Sequence, residues 1–161
     1  MNQMPADVVD LLNAALVSEL TVVDERGGLH TDPLIPMWDG QHILMTSSVL
    51  FSRKLERIKK NPKVAVSLSD PVGCPVEPFV RATIQGDARI LDGDVHTDWE
   101  SVLPLWLQKE PVVAKLLKLR FGLPLFWERS VIEITPRRVV RWQGGDTSQE
   151  PEVIELAGVA A

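Results

Sequence analysis

The chain has 161 residues, 45% of them hydrophobic and 24% charged, the composition of one globular domain that can bury about two-thirds of its unfolded surface. Its formal net charge of −5 argues against nucleic acid as a partner, because such proteins present a basic face. A single cysteine, Cys74, leaves no internal disulfide and no cysteine-cluster zinc site. Charge interrupts every apolar run short of the roughly 20 residues that span a bilayer, and residues 1–10 lack the basic start of a secretion signal. These features predict a soluble, cytoplasmic protein with no membrane partner.

Val8, Val9, Leu11, Leu12, Ala15 and Leu16 recur at helical spacing behind Pro5, so the chain opens with a helix. Residues 20–24 and 29–38 read as strands joined by Glu25-Arg26-Gly27-Gly28, whose glycines supply the positive φ of a tight connection. Pro33 and Pro36 cannot donate to a ladder, so the second strand is an edge or breaks there. Asp39-Gly40 signals a hairpin into a strand at residues 41–45. A helix at residues 52–60 buries Leu55 and Ile58 and stops at Asn61-Pro62. Val64, Val66 and Leu68 alternate as one face of a strand.

A proline-rich loop, residues 70–78, leads to a strand at 79–91, bent at Gly86. Residues 92–120 read as a helical insert interrupted by Pro104 and Pro111. Two closing strands, 131–135 and 139–142, are separated by Pro136-Arg137-Arg138. Residues 143–152 are polar and read as mobile. The expected organisation is therefore one domain over residues 1–142 with a tail at 143–161. Six or seven strands in a near-continuous meander with flanking helices predict a mainly β fold, a small antiparallel barrel whose closure removes sheet edges. A doubly wound parallel sheet needs a helix between every strand pair, and the spacing forbids it.

The stretch Met45-Thr46-Ser47-Ser48-Val49-Leu50-Phe51-Ser52-Arg53-Lys54 carries the chemistry. A phosphate is stabilised by a cation, by hydroxyl donors and by the unpaired N–H groups of a helix N-terminus. All three converge here: Thr46, Ser47 and Ser48 end a strand, and Ser52, Arg53 and Lys54 open a helix. The plain alternative is a capped helix with a solvated basic face. His30, His42 and His96 show no metal-ligand spacing, Cys74 has no activating neighbour, and no nucleophile elbow, Walker loop or Rossmann glycine pattern occurs. A phosphate site without an acid–base constellation points to a redox cofactor that brings its own chemistry.

The order of features resembles the pyridoxamine 5′-phosphate oxidase-like split β-barrel superfamily over residues 6–142. They are an initial helix, Gly28 to Pro33, Trp38-Asp39-Gly40, Thr46-Ser47-Ser48 with Ser52-Arg53-Lys54, Asn61-Pro62-Lys63-Val64-Ala65-Val66, and a strand with an internal glycine. The resemblance implies a six- to seven-stranded antiparallel split barrel of the Greek-key FMN-binding type, assembled as a homodimer with cofactors at the interface. It makes Lys54 the phosphate cation, and Arg53, Ser52, Thr46, Ser47 and Ser48 its phosphate or ribityl partners, with Met45 beside them. It lays Pro33, Leu34, Ile35 and Pro36 along the isoalloxazine ring.

Two departures from the oxidase proper stand out. Its closing Arg-Leu-x-Pro signature is replaced by Val139-Val140-Arg141-Trp142-Gln143-Gly144-Gly145, and the spacing from Thr46 to Ser52 is two residues longer. The expected activity is therefore not vitamin B6 oxidation. It is hydride transfer to or from another small molecule by an FMN-dependent oxidoreductase. The alternatives are a reductase using the deazaflavin coenzyme F420 and a non-catalytic flavin or haem carrier. Trp99 and Trp106, in the insert, are the candidate substrate contacts.

Overall fold

A computed structural model describes residues 3–50 and 52–156. Phe51, inside the hydroxyl-rich stretch, and the end of the tail, 157–161, lie outside the described residues. Helix α1 (Ala6–Ala14) turns Val8, Leu11 and Leu12 into the core, as the spacing predicts. Strands β1 (Ser18–Val23) and β2 (Leu29–Leu34) form the first hairpin. Gly27, at φ 81°, makes the turn possible. The expected break at the prolines is present: a short β3 (Met37–Trp38) follows and pairs with β4 (Ile43–Ser48). Helix α2 (Arg53–Lys60) leads to β5 (Lys63–Leu68) and β6 (Arg81–Leu91). After the insert come β7 (Arg129–Trp142) and β8 (Glu152–Glu155).

The sheet is antiparallel in the order β2-β1-β5-β6-β7-β4-β3, with β8 paired to β7. It is therefore not a meander. Helix α2 carries the chain from β4 across to β5, so β1 pairs with β5 while β4 pairs with β7. Hydrogen bonds do not close the ring either. Strands β2 and β3 sit at the two ends of the path, joined only by the chain through Ile35 and Pro36. The result is a curled, split barrel with Pro33 on an edge strand, where a missing N–H costs no ladder bond.

Two elements differ from the sequence reading. The closing strands are one strand, β7, running through Pro136. Proline is tolerated because it faces Gly86 where the β6–β7 register shifts, and a bulge already interrupts the ladder there. A Cβ on Gly86 would sit 2.4 Å from the Thr135 carbonyl oxygen, so only glycine lets the strands meet. The tail is not free of the sheet either: residues 152–155 pair with β7, and the Arg141 guanidinium draws in both Asp7 and Glu152.

Two cores result. One fills the barrel and is built from α1, α2, β1, β5, β6, β7 and the inward face of β4. The other lies beneath the insert, where a 3-10 turn (Asp98–Val102) and the helices α3 (Leu103–Lys109), α4 (Val113–Leu116) and α5 (Pro124–Trp127) pack Trp99, Trp106 and Trp127 against Met37, Leu44 and Val131. Trp99 stacks on Trp127 at 5.0 Å and meets Trp106 edge-on at 6.4 Å. Lys109 ties the insert to the barrel: its ammonium donates to the carbonyls of Leu12 and Ala15 at the end of α1, and burial pulls it down to about 8. Among the described residues no helix is long and apolar enough to cross a membrane.

Candidate functional site

Strand β4 separates the two cores, and its alternation decides where each hydroxyl goes. Ile43 and Met45 point into the barrel, whereas Leu44 points under the insert. Side chains in a strand alternate between faces, so Ser47 belongs to the barrel side and Thr46 to the insert side. The hydroxyl-rich stretch thus forms two groups, not one.

The first group is basic. Ser47 Oγ lies 3.0 Å from Ser52 Oγ and accepts from Lys54 Nζ at 3.5 Å. Lys54 Nζ is also 3.7 Å from Asp32 Oδ1 on β2, and its side chain is 15% exposed. Ser52 occupies the N-cap of α2 without capping it, since its hydroxyl turns to Ser47. Among the described residues no side chain caps α2, the arrangement that attracts an anion. Arg53 is exposed and, with Ser52, Lys59 and Ser130, lines a cavity of about 420 Å³. Farther along α2, Lys59 pairs with Asp92 at 2.7 Å and Lys60 with Glu25 at 2.6 Å. Lys54 is thus the α2 cation that is both sheltered and next to hydroxyls.

The second group surrounds Thr46 in a cleft of about 240 Å³, which Pro33, Leu34, Ile35 and Trp106 also line. Its charged members are Glu110 and Arg129, neither of which the sequence pattern singled out. Arg129 precedes a strand-like run, and only the pairing of Ser48 with Arg129 brings it beside β4. Its Nε donates to Thr46 Oγ1 at 3.1 Å, its Nη1 to the Phe126 carbonyl at 3.1 Å and its Nη2 to the Thr46 carbonyl at 3.5 Å. The guanidinium lies 4.9 Å from the ring centres of both Trp106 and Phe126. Burial pulls it down to about 10, which leaves it charged at neutral pH.

The structure therefore brings Lys54, Ser52 and Ser47 together, and Thr46 together with Pro33, Leu34 and Ile35. Ser48 is half-buried at the end of β4, and its hydroxyl accepts from the Leu50 N–H at 3.3 Å. Met45 is wholly buried in the barrel core, and Pro36 is buried between β2 and β3. Trp106 reaches the cleft, but Trp99 is fully buried and donates to the His96 carbonyl, so it belongs to the core of the insert.

No protein-family profile and no curated protein matches this sequence. Solved structures do match in shape. A protein related to general stress protein 26 of B. subtilis (pyridoxinephosphate oxidase family), from Clostridium acetobutylicum, aligns over 93% of this chain and 92% of its own, at 15% identity and a TM-score of 0.62. An F420 reductase aligns over 84% of this chain and 98% of its own, at 21% identity and a TM-score of 0.57. A haem-binding protein from Mycobacterium smegmatis aligns over 96% of this chain and 60% of its own, at 12% identity and a TM-score of 0.62. The fold is that of the pyridoxamine 5′-phosphate oxidase-like split barrel.

Proposed function

We propose that this chain is a homodimeric oxidoreductase that binds FMN through the Lys54 cluster and transfers hydride to or from a small molecule. The observation that carries the reading is the sheltered lysine touching Ser47, beside a helix N-terminus whose capping serine is turned away from it. That donor set suits a phosphate: one cation, two hydroxyls and a helix N-terminus without a side-chain cap. Lys54, Ser47 and Ser52 would hold the phosphate, with Arg53 approaching from the neighbouring cavity and Ser48 and Thr46 nearer the ribityl chain. The edge strand at Pro33, Leu34 and Ile35 would lie along the ring, with Met45 and Pro36 supporting it from within the core. The bound flavin would supply reversible hydride chemistry, and the protein would supply binding and orientation.

A second copy of the chain is part of the proposal. Val112, Leu119, Phe121 and Leu123 of the insert are exposed, Phe121 to 96%. A cluster of large apolar side chains on a surface marks an interaction site, and two-fold dimers are the commonest solution. Light scattering is expected to read twice 17.9 kDa at micromolar concentration, and a stable monomer would remove the interface from the proposal.

The deazaflavin alternative shares the phosphate logic and draws support from the F420 reductase of the same shape. Haem is less favoured, because each histidine already faces a carboxylate: His30 with Asp24 at 2.8 Å, His42 with Asp39 at 3.2 Å, His96 with Glu128 at 3.9 Å. Purified protein loaded separately with FMN, F420 and haem and passed through gel filtration separates the readings. Retention of FMN, with bleaching by a reduced donor and recovery with an acceptor, is the expected result. Retention without turnover would make the chain a carrier. Residues 139–145 lack the closing Arg-Leu-x-Pro signature of the oxidase, so pyridoxamine 5′-phosphate should support no oxygen consumption.

A further inference from the structure

Arg129 is a partly buried cation with no ion-pair partner among the described residues. Among the described residues no carboxylate lies within ion-pairing distance of its guanidinium, and its protein contacts are all neutral oxygens: Thr46 Oγ1 and two backbone carbonyls. Glu110, which lines the same cleft, acts on Arg129 through its charge and accepts from Trp106 Nε1 at 2.9 Å. A guanidinium carries five N–H donors, and the three contacts leave two of them free. An unpaired charge taken out of water is costly unless something pairs with it. Such a site gains from binding an anion.

The rest of the cleft limits what that anion can be. Its volume of about 240 Å³ falls below the usual 300–1,000 Å³ of drug-sized pockets, so it suits a single-ring molecule. Its lining is mostly apolar, with the aromatic faces of Trp106 and Phe126 beside the guanidinium. Planar rings favour such faces, and a guanidinium fork matches a carboxylate in two parallel hydrogen bonds.

We infer that the Arg129 cleft binds the carboxylate of a small planar acid, with Arg129 as the specificity-determining cation and Trp106 and Phe126 stacking on the ring. As the substrate class of the proposed redox site, this rests on the reading above, since Pro33, Leu34 and Ile35 border the same cleft. As a binding site it stands alone.

The probes are benzoate and its neutral isostere benzamide, titrated against the full-length protein by tryptophan fluorescence, with Trp106 as the reporter. Benzoate should bind at least ten-fold more tightly than benzamide, the discrimination expected of a charge-assisted hydrogen bond. Arg129→Gln should erase that preference and leave benzamide unchanged. Because Arg129 also ties Phe126 to Thr46, this variant could fail to fold. Glu110→Gln covers that case, since it keeps an acceptor for Trp106 Nε1 while removing the competing negative charge. It should tighten benzoate several-fold and leave benzamide as it was. Equal affinity for the two probes, or a benzoate affinity indifferent to both substitutions, would overturn the inference. So would displacement of benzoate by FMN, which would make the cleft the cofactor's own. Lys54→Ala separates the two proposals: it should weaken FMN and leave benzoate untouched. Benzoate binding to a protein that takes up no flavin would sink the proposed function alone.

Discussion

Lys54→Ala separates cofactor recognition from stability. The lysine's contacts are weak ones: 3.7 Å to a half-exposed Asp32 and 3.5 Å to Ser47 Oγ. A pair of that kind contributes about 0–1 kcal/mol. For a domain of this length that amounts to a fall of no more than about 4 °C in Tm. Pairing with a phosphate is worth more, about 1.5–3 kcal/mol, or roughly ten- to hundred-fold in Kd. Asp32 competes for the same ammonium, so Asp32→Asn should move the other way and tighten FMN a few-fold. Lys54→Arg should lose less than Lys54→Ala, because charge is kept and only geometry changes. Riboflavin, which lacks the phosphate, is the control and should bind wild type and Lys54→Ala alike. Fluorescence titration with both flavins reads all of these. Equal losses for FMN and riboflavin, or no loss for either, would refute the assignment.

Gly86→Ala should destabilise by about 1–3 kcal/mol, since its Cβ would lie 2.4 Å from the Thr135 carbonyl, and urea unfolding within 0.5 kcal/mol of wild type would deny the close approach. Cys74, 1% exposed and with a thiol that burial pushes up to about 11, should resist iodoacetamide at pH 8 until the protein is unfolded. Native-state labelling at the rate of a free thiol would contradict that. The Asp24 carboxyl, hydrogen-bonded by His30 and by the Gly28 and Arg26 N–H groups, is lowered from 3.8 to about 2. A depressed acid stabilises the fold fully above pH 3.8 and loses that contribution as pH falls towards 2. The Tm gap between wild type and Asp24→Asn should therefore shrink over that window, and a gap that is flat with pH would exclude the role.

Local signals in the sequence were strong wherever they governed one element. Helical spacing gave α1 and α2, alternation gave β5, and Pro33 and Pro36 foretold the edge strand and its break. What stayed hidden depends on pairing between distant strands. Pro136 looked like a terminator because a lone proline does break a ladder, and only Gly86 opposite it supplies the bulge that accommodates it. The crossover through α2 reads locally like a meander, since both arrangements use the same strands and turns. The hydroxyl-rich stretch was recognisable as a whole, but not its division by β4 into an Lys54 group and a Thr46 group. That division follows from which face each core occupies. Arg129 lay 83 residues from its partner Thr46, with no spacing rule to connect them.

The central claim is that this barrel holds a phosphate-bearing flavin at the Lys54 cluster. Calorimetric titration of the wild-type protein with FMN, and then with riboflavin, tests it most directly. The account predicts one FMN per chain and at least ten-fold weaker binding of riboflavin, the contribution of the phosphate. Saturable binding of both flavins with equal affinity would contradict the phosphate site, and binding of neither FMN nor F420 would contradict the cofactor altogether.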